Sequence, residues 1–192
     1  MSIVTALRRN GHITMAADTL ALFGEGMVIP PGNASISKIM RIGDAVVGGT
    51  GWAVYDDILE HFLAGSPSPP LDSRPAIYAF FLEFWKALRE TYSLVNDQSA
   101  SKETPFGDLD ATFLIASPGG LFKVSSDLGV TEFRHHHAIG SGCEYALGAM
   151  HALTQTETND TIVVRTACEA AIAMDVSCGG EVEVVQIDCP DP

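Results

Sequence analysis

The sequence predicts an α+β layered sandwich, with helices stacked outside a pair of antiparallel sheets. Three observations lead there. Short β-type runs come in pairs around tight-turn residues. The apolar period switches twice from two to nearly four. The resulting order is strands, two helices, strands, two helices and a final strand. With 192 residues, 46% of them hydrophobic, the chain can bury a sizeable core. Ser66–Pro75 is too short to be a domain linker, so one domain over residues 1–192 is expected.

Taken in order, Ile3–Leu7 and Ile13–Ala17 read as strands split by Arg8-Arg9-Asn10-Gly11, and Asn-Gly is a favoured two-residue hairpin turn. A Gly- and Pro-rich passage, Gly24–Asn33, precedes a second pair, Ile36–Ile42 and Ala45–Gly49, that turns at Gly43-Asp44. After Gly48-Gly49-Thr50-Gly51 a helix begins, with Trp52, Tyr55, Ile58, Leu59, Phe62 and Leu63 on one face. Gly65–Pro70 breaks the chain before a longer helix carrying Ile77, Phe80, Phe81, Phe84, Trp85, Leu88 and Tyr92 at helical spacing, a stripe read as core packing rather than a ligand box. Asn96–Gly107 reads as a loop. Ala111–Ala116 and Leu121–Val124 form another hairpin around Pro118-Gly119-Gly120. Helices follow from about Ser141 to Leu153 and from Asp160, as N-cap, to about Ser177, and Glu181–Ile187 is the last strand.

Eleven Lys and Arg against 24 Asp and Glu give a net charge of −13. Such a chain repels phosphate backbones and anionic lipid headgroups, which argues against nucleic acid and membrane as partners. Cys143, Cys168, Cys178 and Cys189 contain no CxxC pair, so neither a disulfide framework nor a zinc site is expected, and a reducing cytoplasm suits them. The opening MSIVTALRRNGHI has no apolar run behind its basic pair, and no stretch reaches the length of a membrane span. A cytoplasmic location is the expectation.

The chemistry turns on the first residues. Ser2 follows an initiator Met and is small enough for methionine removal, which would expose an amine and a hydroxyl on one residue. An α-amine titrates near pH 8 in model peptides, so it can take the hydroxyl proton without a histidine. Alone, a Met-Ser start is uninformative. Its context is Ile3-Val4-Thr5-Ala6-Leu7-Arg8-Arg9-Asn10-Gly11-His12, then Ala16-Ala17-Asp18, Ser37-Lys38-Ile39-Met40-Arg41 and Gly48-Gly49-Thr50-Gly51. Ala138-Ile139-Gly140-Ser141-Gly142 and Asp175-Val176-Ser177-Cys178-Gly179-Gly180 continue it. In this order the segments resemble the proteasome β-subunit and HslV peptidase family of N-terminal nucleophile hydrolases, over nearly the whole chain. The Arg-Arg-Asn-Gly turn and the Ile-Gly-Ser-Gly segment are most similar to HslV, and residues 175–180 to the proteasome. The short length and Ser start resemble the proteasome homologues of betaproteobacteria.

The resemblance implies a four-layer αββα sandwich and an endopeptidase acting through a Ser2 acyl-enzyme. It puts Ser2 where the family usually has threonine, with the loss of a methyl that restricts the rotamers of the nucleophile. It makes Lys38 the active-site lysine, whose charge favours the alkoxide and lowers the pKa of the amine, and Asp18 its partner. The Gly51 amide completes an oxyanion hole. Ser141 and Asp175 orient the N-terminal amine. Cys178 departs from the serine common at that position in proteasomes, and a thiol is the weaker donor. Gly49 matches the base of the specificity pocket and suggests a roomy one.

As partners the resemblance implies peptide or unfolded-protein substrates, a homo-oligomeric double ring of sixfold or sevenfold symmetry, and an ATPase unfoldase; no cofactor is expected. Two alternatives stand beside it: a catalytically silent ring scaffold, and a small-amide hydrolase of the same fold. His135-His136-His137 invites a metal reading, but neighbouring residues on a strand alternate faces and cannot share one ion, so they read as surface or interface histidines.

Overall fold

A computed structural model describes residues 2–23, 27–28, 35–65, 67–92 and 109–190. Strands β1 (Ile3–Arg9) and β2 (His12–Asp18) form the first hairpin, closed by Asn10 and Gly11 with φ of 57° and 75°. Two positive φ values in succession give the turn whose twist matches that of the flanking strands. A short antiparallel pair follows, β3 (Leu22–Phe23) with β4 (Met27–Val28). Strands β5 (Ile39–Ile42) and β6 (Ala45–Gly51) turn at Gly43, where φ is +59°. Helices α1 (Val54–Leu63) and α2 (Arg74–Glu90) come next, then β7 (Ala111–Ser117), β8 (Gly120–Val124), β9 (Val130–Phe133) and β10 (His136–Gly140). Helices α3 (Cys143–Leu153) and α4 (Asp160–Met174) and strand β11 (Val182–Asp188) complete the order.

Two antiparallel sheets result: a four-stranded one ordered β10-β1-β2-β11 and a five-stranded one ordered β5-β6-β7-β8-β9. Three cores stack across them. Tyr55, Ile58 and Leu59 of α1 and Ile77, Phe81, Phe84 and Leu88 of α2 cover the five-stranded sheet at Phe113, Ile115 and Phe122. Ala146 and Met150 of α3 and Val163, Val164, Ala167 and Ala171 of α4 cover the four-stranded sheet at Ile3, Leu7 and Ala16. Between the sheets, Val4, Ala6, Ile13 and Met15 meet Val46, Leu114, Ala116 and Leu121. This is the four-layer αββα sandwich. Side chains of the four-stranded sheet press on the backbone of β6 at Gly48, where an added Cβ would stand 2.6 Å from Val4 Cγ1.

Several elements differ from the sequence expectation. Strands β9 and β10 fall where the sequence reading passes from the 111–124 hairpin straight to two helices; they carry no clean alternation, because Thr131, Glu132 and the histidines lie on edge strands where either face tolerates polarity. The cap of α4 is Asn159, whose side chain accepts from the Ile162 amide, while Asp160 sits inside the helix and pairs with Arg9. That helix ends at Met174 because Asp175 leaves helical φ/ψ. Trp52 precedes α1 and is 71% exposed instead of sharing its buried face. The expected loop Asn96–Gly107 and most of Gly24–Asn33 lie outside the described residues. Among the described residues no helix is long and apolar enough to cross a membrane.

Candidate active site

Ser2 lies at the head of β1, and it is 4% exposed. Its neighbour Ile3 pairs with Gly140 at the end of β10. Gly140 has φ +106°, and a Cβ there would fall 2.1 Å from the Ser2 carbonyl oxygen, so glycine alone lets the start of the 140–142 turn press on residue 2. The Ile3 amide donates to Asp18 Oδ1 at 2.9 Å. The residue that bears the candidate hydroxyl is thus fixed through the peptide that follows it.

Asp18, at the end of β2, is fully buried and accepts from three donors. Its Oδ1 also accepts from Lys38 Nζ at 2.6 Å, and its Oδ2 accepts from the Gly179 amide at 2.9 Å. Lys38 is itself 10% exposed, and its carbonyl receives the Gly49 amide at 3.0 Å, which ties the residue before β5 to the far end of β6. A buried carboxylate and ammonium survive removal from water because each finds its opposite charge and further hydrogen bonds. Asp18 therefore joins three separate segments: the start of β1, Lys38 and the loop after α4.

A second cluster abuts the first through that loop. The Asp175 carboxylate accepts from the Ser177 amide at 2.9 Å and from the Cys178 thiol at 3.5 Å. The Ser141 hydroxyl, then the Ser177 amide, hold the Asp175 carboxyl below the usual carboxylate range. Ser141 Oγ lies 3.9 Å from Cys178 Sγ. Burial, with the Asp18 charge behind it, pushes the Cys178 thiol up to about 11, so it stays protonated and serves as a donor. Gly142 makes the approach feasible, since a Cβ there would stand 2.7 Å from Ala171 Cβ on α4. Asp18 thus gathers Lys38 and the peptide after Ser2, and the Ser141, Asp175 and Cys178 cluster joins it through the backbone of the loop at Gly179.

No family model matches the chain. Its structure is similar to that of Thiobacillus denitrificans BPH, a bacterial proteasome homologue, at 33% identity and a TM-score of 0.90, over 99% of this chain and 100% of that one. The same protein in complex with epoxomicin matches at 32% identity, a TM-score of 0.88 and the same coverage. The chain belongs to the proteasome β-subunit and HslV family. Eukaryotic HslV from Trypanosoma brucei shares the fold at 19% identity and a TM-score of 0.66, over 97% of this chain and 99% of that one.

In this proteasome-type fold two of the three glycines on β6, Gly49 and Gly51, have different surroundings. Gly51 ends the strand with φ +137°, opposite Ala111, and a Cβ there would meet the Asp110 carbonyl at 2.6 Å. On Gly49 a Cβ would stand 3.2 Å from Asp56 Oδ1 and 3.5 Å from the Phe113 ring. The wall beside Gly49 is therefore a carboxylate and an aromatic ring. Burial, then the neighbouring Asp57, pushes Asp56 up to about 6 against the opposing pull of Lys38. Sequence reasoning missed Asp56, because an acid in the first turn of a helix reads as a partner of the helix dipole. It also missed the Ile3 and Gly179 amides, which act as backbone and leave no side-chain signal. Among the described residues no group of three or more His, Cys, Asp and Glu could hold a metal. His137 stacks on Phe133 with ring centres 3.9 Å apart, and burial pushes it down to about 4.

Proposed function

We propose that the chain is an endopeptidase subunit whose nucleophile is the Ser2 hydroxyl and whose base is the Ser2 α-amine, freed by removal of Met1. The observation that carries this is Asp18, which binds the Ile3 amide and the Lys38 ammonium on one oxygen and so holds the lysine beside the nucleophile's own peptide. The amine takes the hydroxyl proton, and the Lys38 charge favours the alkoxide that attacks the scissile carbonyl. Gly51 N–H donates to the oxygen of the tetrahedral intermediate. Collapse gives a Ser2 ester and returns the proton to the leaving amine; water, with the same amine as base, then hydrolyses the ester. Ser141 and Asp175 orient the amine, and Cys178 is one more donor in that network.

The reading extends to a single domain over residues 1–192 and to a cytoplasmic, self-compartmentalised double ring fed by an ATPase, as family likeness supports. The complex of T. denitrificans BPH with epoxomicin makes a peptide epoxyketone the natural probe. Ser2→Ala and Lys38→Ala, each in protein that has lost Met1, should lower peptide hydrolysis by at least about 100-fold, the scale of a lost nucleophile or charge stabiliser. A Ser2→Ala chain that cleaves peptides at the parent rate would overturn the reading, and parent protein that is processed but inert would favour the silent scaffold.

A further inference from the structure

We propose that the corner between the two sheets, where Arg8, His135 and His137 of one meet Lys123 of the other, binds a phosphate-type oxyanion. The strand register sets which way these side chains face. His137 is opposite Ala6, and the Arg8 amide donates to the His135 carbonyl at 2.6 Å, so those two residues also stand opposite one another. On its other side Arg8 is opposite Ile13. Ala6 and Ile13 belong to the core between the sheets, so Arg8, His135 and His137 share the face that looks at the five-stranded sheet. On that sheet Lys123 is opposite Leu114 and Phe133 is opposite Leu121, both in the same inter-sheet core. β9 and β10 are the edge strands of their sheets, and His135 at the turn between them is exposed.

Among the described residues neither Arg8 nor Lys123 forms an ion pair, whereas Arg9 and His12 close by are paired with Asp160 and Asp188. The His137 ring stacks on Phe133 with centres 3.9 Å apart, and its Nε2 is buried without a hydrogen-bond partner. A buried nitrogen without a bond is costly, so a ligand that bonds it gains more than one that bonds an exposed nitrogen. Lys123 is near enough to join burial in pushing His137 down to about 4. The acids of this region point elsewhere. Glu132 of β9 is opposite Phe122, which packs in the core on the helix side, and Asp127 in the β8–β9 turn takes the Gly129 amide. His136 also faces the helices, since it is opposite Leu7. In a chain of net charge −13 this corner gathers cations without acids. A tetrahedral oxyanion accepts in several directions at once and suits donors arriving from both sheets. The charge of the whole chain repels a long polyanion, so the ligand is small: free phosphate or a phosphate ester.

The test uses the full chain near neutral pH and at constant ionic strength, titrated calorimetrically with inorganic phosphate, phenyl phosphate, acetate and chloride. Phosphate should bind with a Kd of about 1 mM or tighter, the worth of three charge-assisted hydrogen bonds at the low end of their range. Acetate and chloride should bind at least about tenfold more weakly. Phenyl phosphate against inorganic phosphate tells whether the ester or the free ion is the better ligand. Lys123→Gln should weaken phosphate binding by at least about tenfold, the loss of one such bond. Arg41→Gln removes the same charge from an exposed position on β5 and should change it less than about twofold.

In the parent protein the His137 imidazole, followed by side-chain NMR, should titrate at least about one unit higher with phosphate bound, because an anion at hydrogen-bond distance favours the imidazolium. That gain opposes the repulsion from Lys123 and His136, with Arg8 and His135 on the same face. His61, held against Tyr92 elsewhere, should not move. This readout needs no variant and so is independent of how Lys123→Gln folds. Phosphate that binds no better than acetate or chloride, binding indifferent to Lys123→Gln, or a His137 titration unmoved by phosphate overturns the inference. The outcome is separate from the Ser2 chemistry, since Arg8 stands roughly 20 Å along extended β1 from Ser2.

Discussion

Asp18→Asn keeps the size of a fully buried side chain and removes its charge. Lys38, 10% exposed, then faces no anion at the 2.6 Å position. The amide also has one accepting oxygen where the carboxylate had two, so of the donors Ile3 N–H, Lys38 Nζ and Gly179 N–H at least one meets an NH₂ group. Breaking a buried ion pair from one side costs about 3–5 kcal/mol, and an orphaned buried amide about 1–3 kcal/mol. The two losses share one site and do not add fully, which puts the total near ~4 kcal/mol. Urea unfolding at fixed protein concentration reads this as a midpoint lower by about 2 M, for an m-value of about 2 kcal/mol/M. Adding Lys38→Met should recover about half of the loss, because the uncompensated ammonium is gone while the amide donors remain unpaired. An Asp18→Asn variant within about 1 kcal/mol of the parent, with no coupling to Lys38→Met, would refute the view that this pair is held away from water.

Asp56 gives a stability effect of opposite sign. Its folded pKa of about 6 lies above the ordinary 3.8, so the folded state resists losing that proton and is penalised above about pH 6, with no penalty below about pH 4. Asp56→Asn should therefore stabilise by about 2 kcal/mol near pH 8, allowing for residual water at the carboxylate, with a gain that shrinks as pH falls from 6 to 4 in urea titrations. Gly140→Ala must push a methyl into the Ser2 carbonyl 2.1 Å away at positive φ, and should cost at least about 3 kcal/mol and abolish epoxyketone labelling. Cys178 and Cys168, pushed up to about 11 and about 12 by burial, should stay unalkylated by iodoacetamide near pH 8 until the protein is unfolded, as peptide mass mapping can check. Asn159→Ala removes the α4 cap and should lower stability by about 1 kcal/mol by the same urea assay.

What the sequence made legible follows from where the physics is local. Asn10-Gly11 and Gly43-Asp44 announce their turns because few residues accept positive φ, and the Phe81, Phe84 and Leu88 spacing announces a buried helix face. Asn159 and Asp160 are both good caps, and only the hydrogen bond to Ile162 decides between them. Trp52 has the right spacing for the α1 face but lies before the helix starts, where spacing has no meaning. The pairing of Lys38 with Asp18 was legible only through the order of short segments, since neither residue has a local signature. The three-donor role of Asp18 was not, because two of its donors are backbone amides brought together by sheet pairing and by the turn after α4. Asp56 was hidden for a similar reason: Gly49 and Asp56 meet across a strand and a helix, and glycine marks the meeting by having nothing there.

The central claim is that the amine of processed Ser2 serves as the base for its own hydroxyl. Intact mass of the purified protein, before and after incubation with a peptide epoxyketone, tests it most directly, because the ring adduct needs both groups on one residue. The expected result is a chain lighter by one methionine that then gains one inhibitor per subunit, with no gain in Ser2→Ala. A chain that keeps Met1, or one that has lost it and gains no mass from epoxyketones with basic, apolar and acidic side chains alike, would contradict the claim.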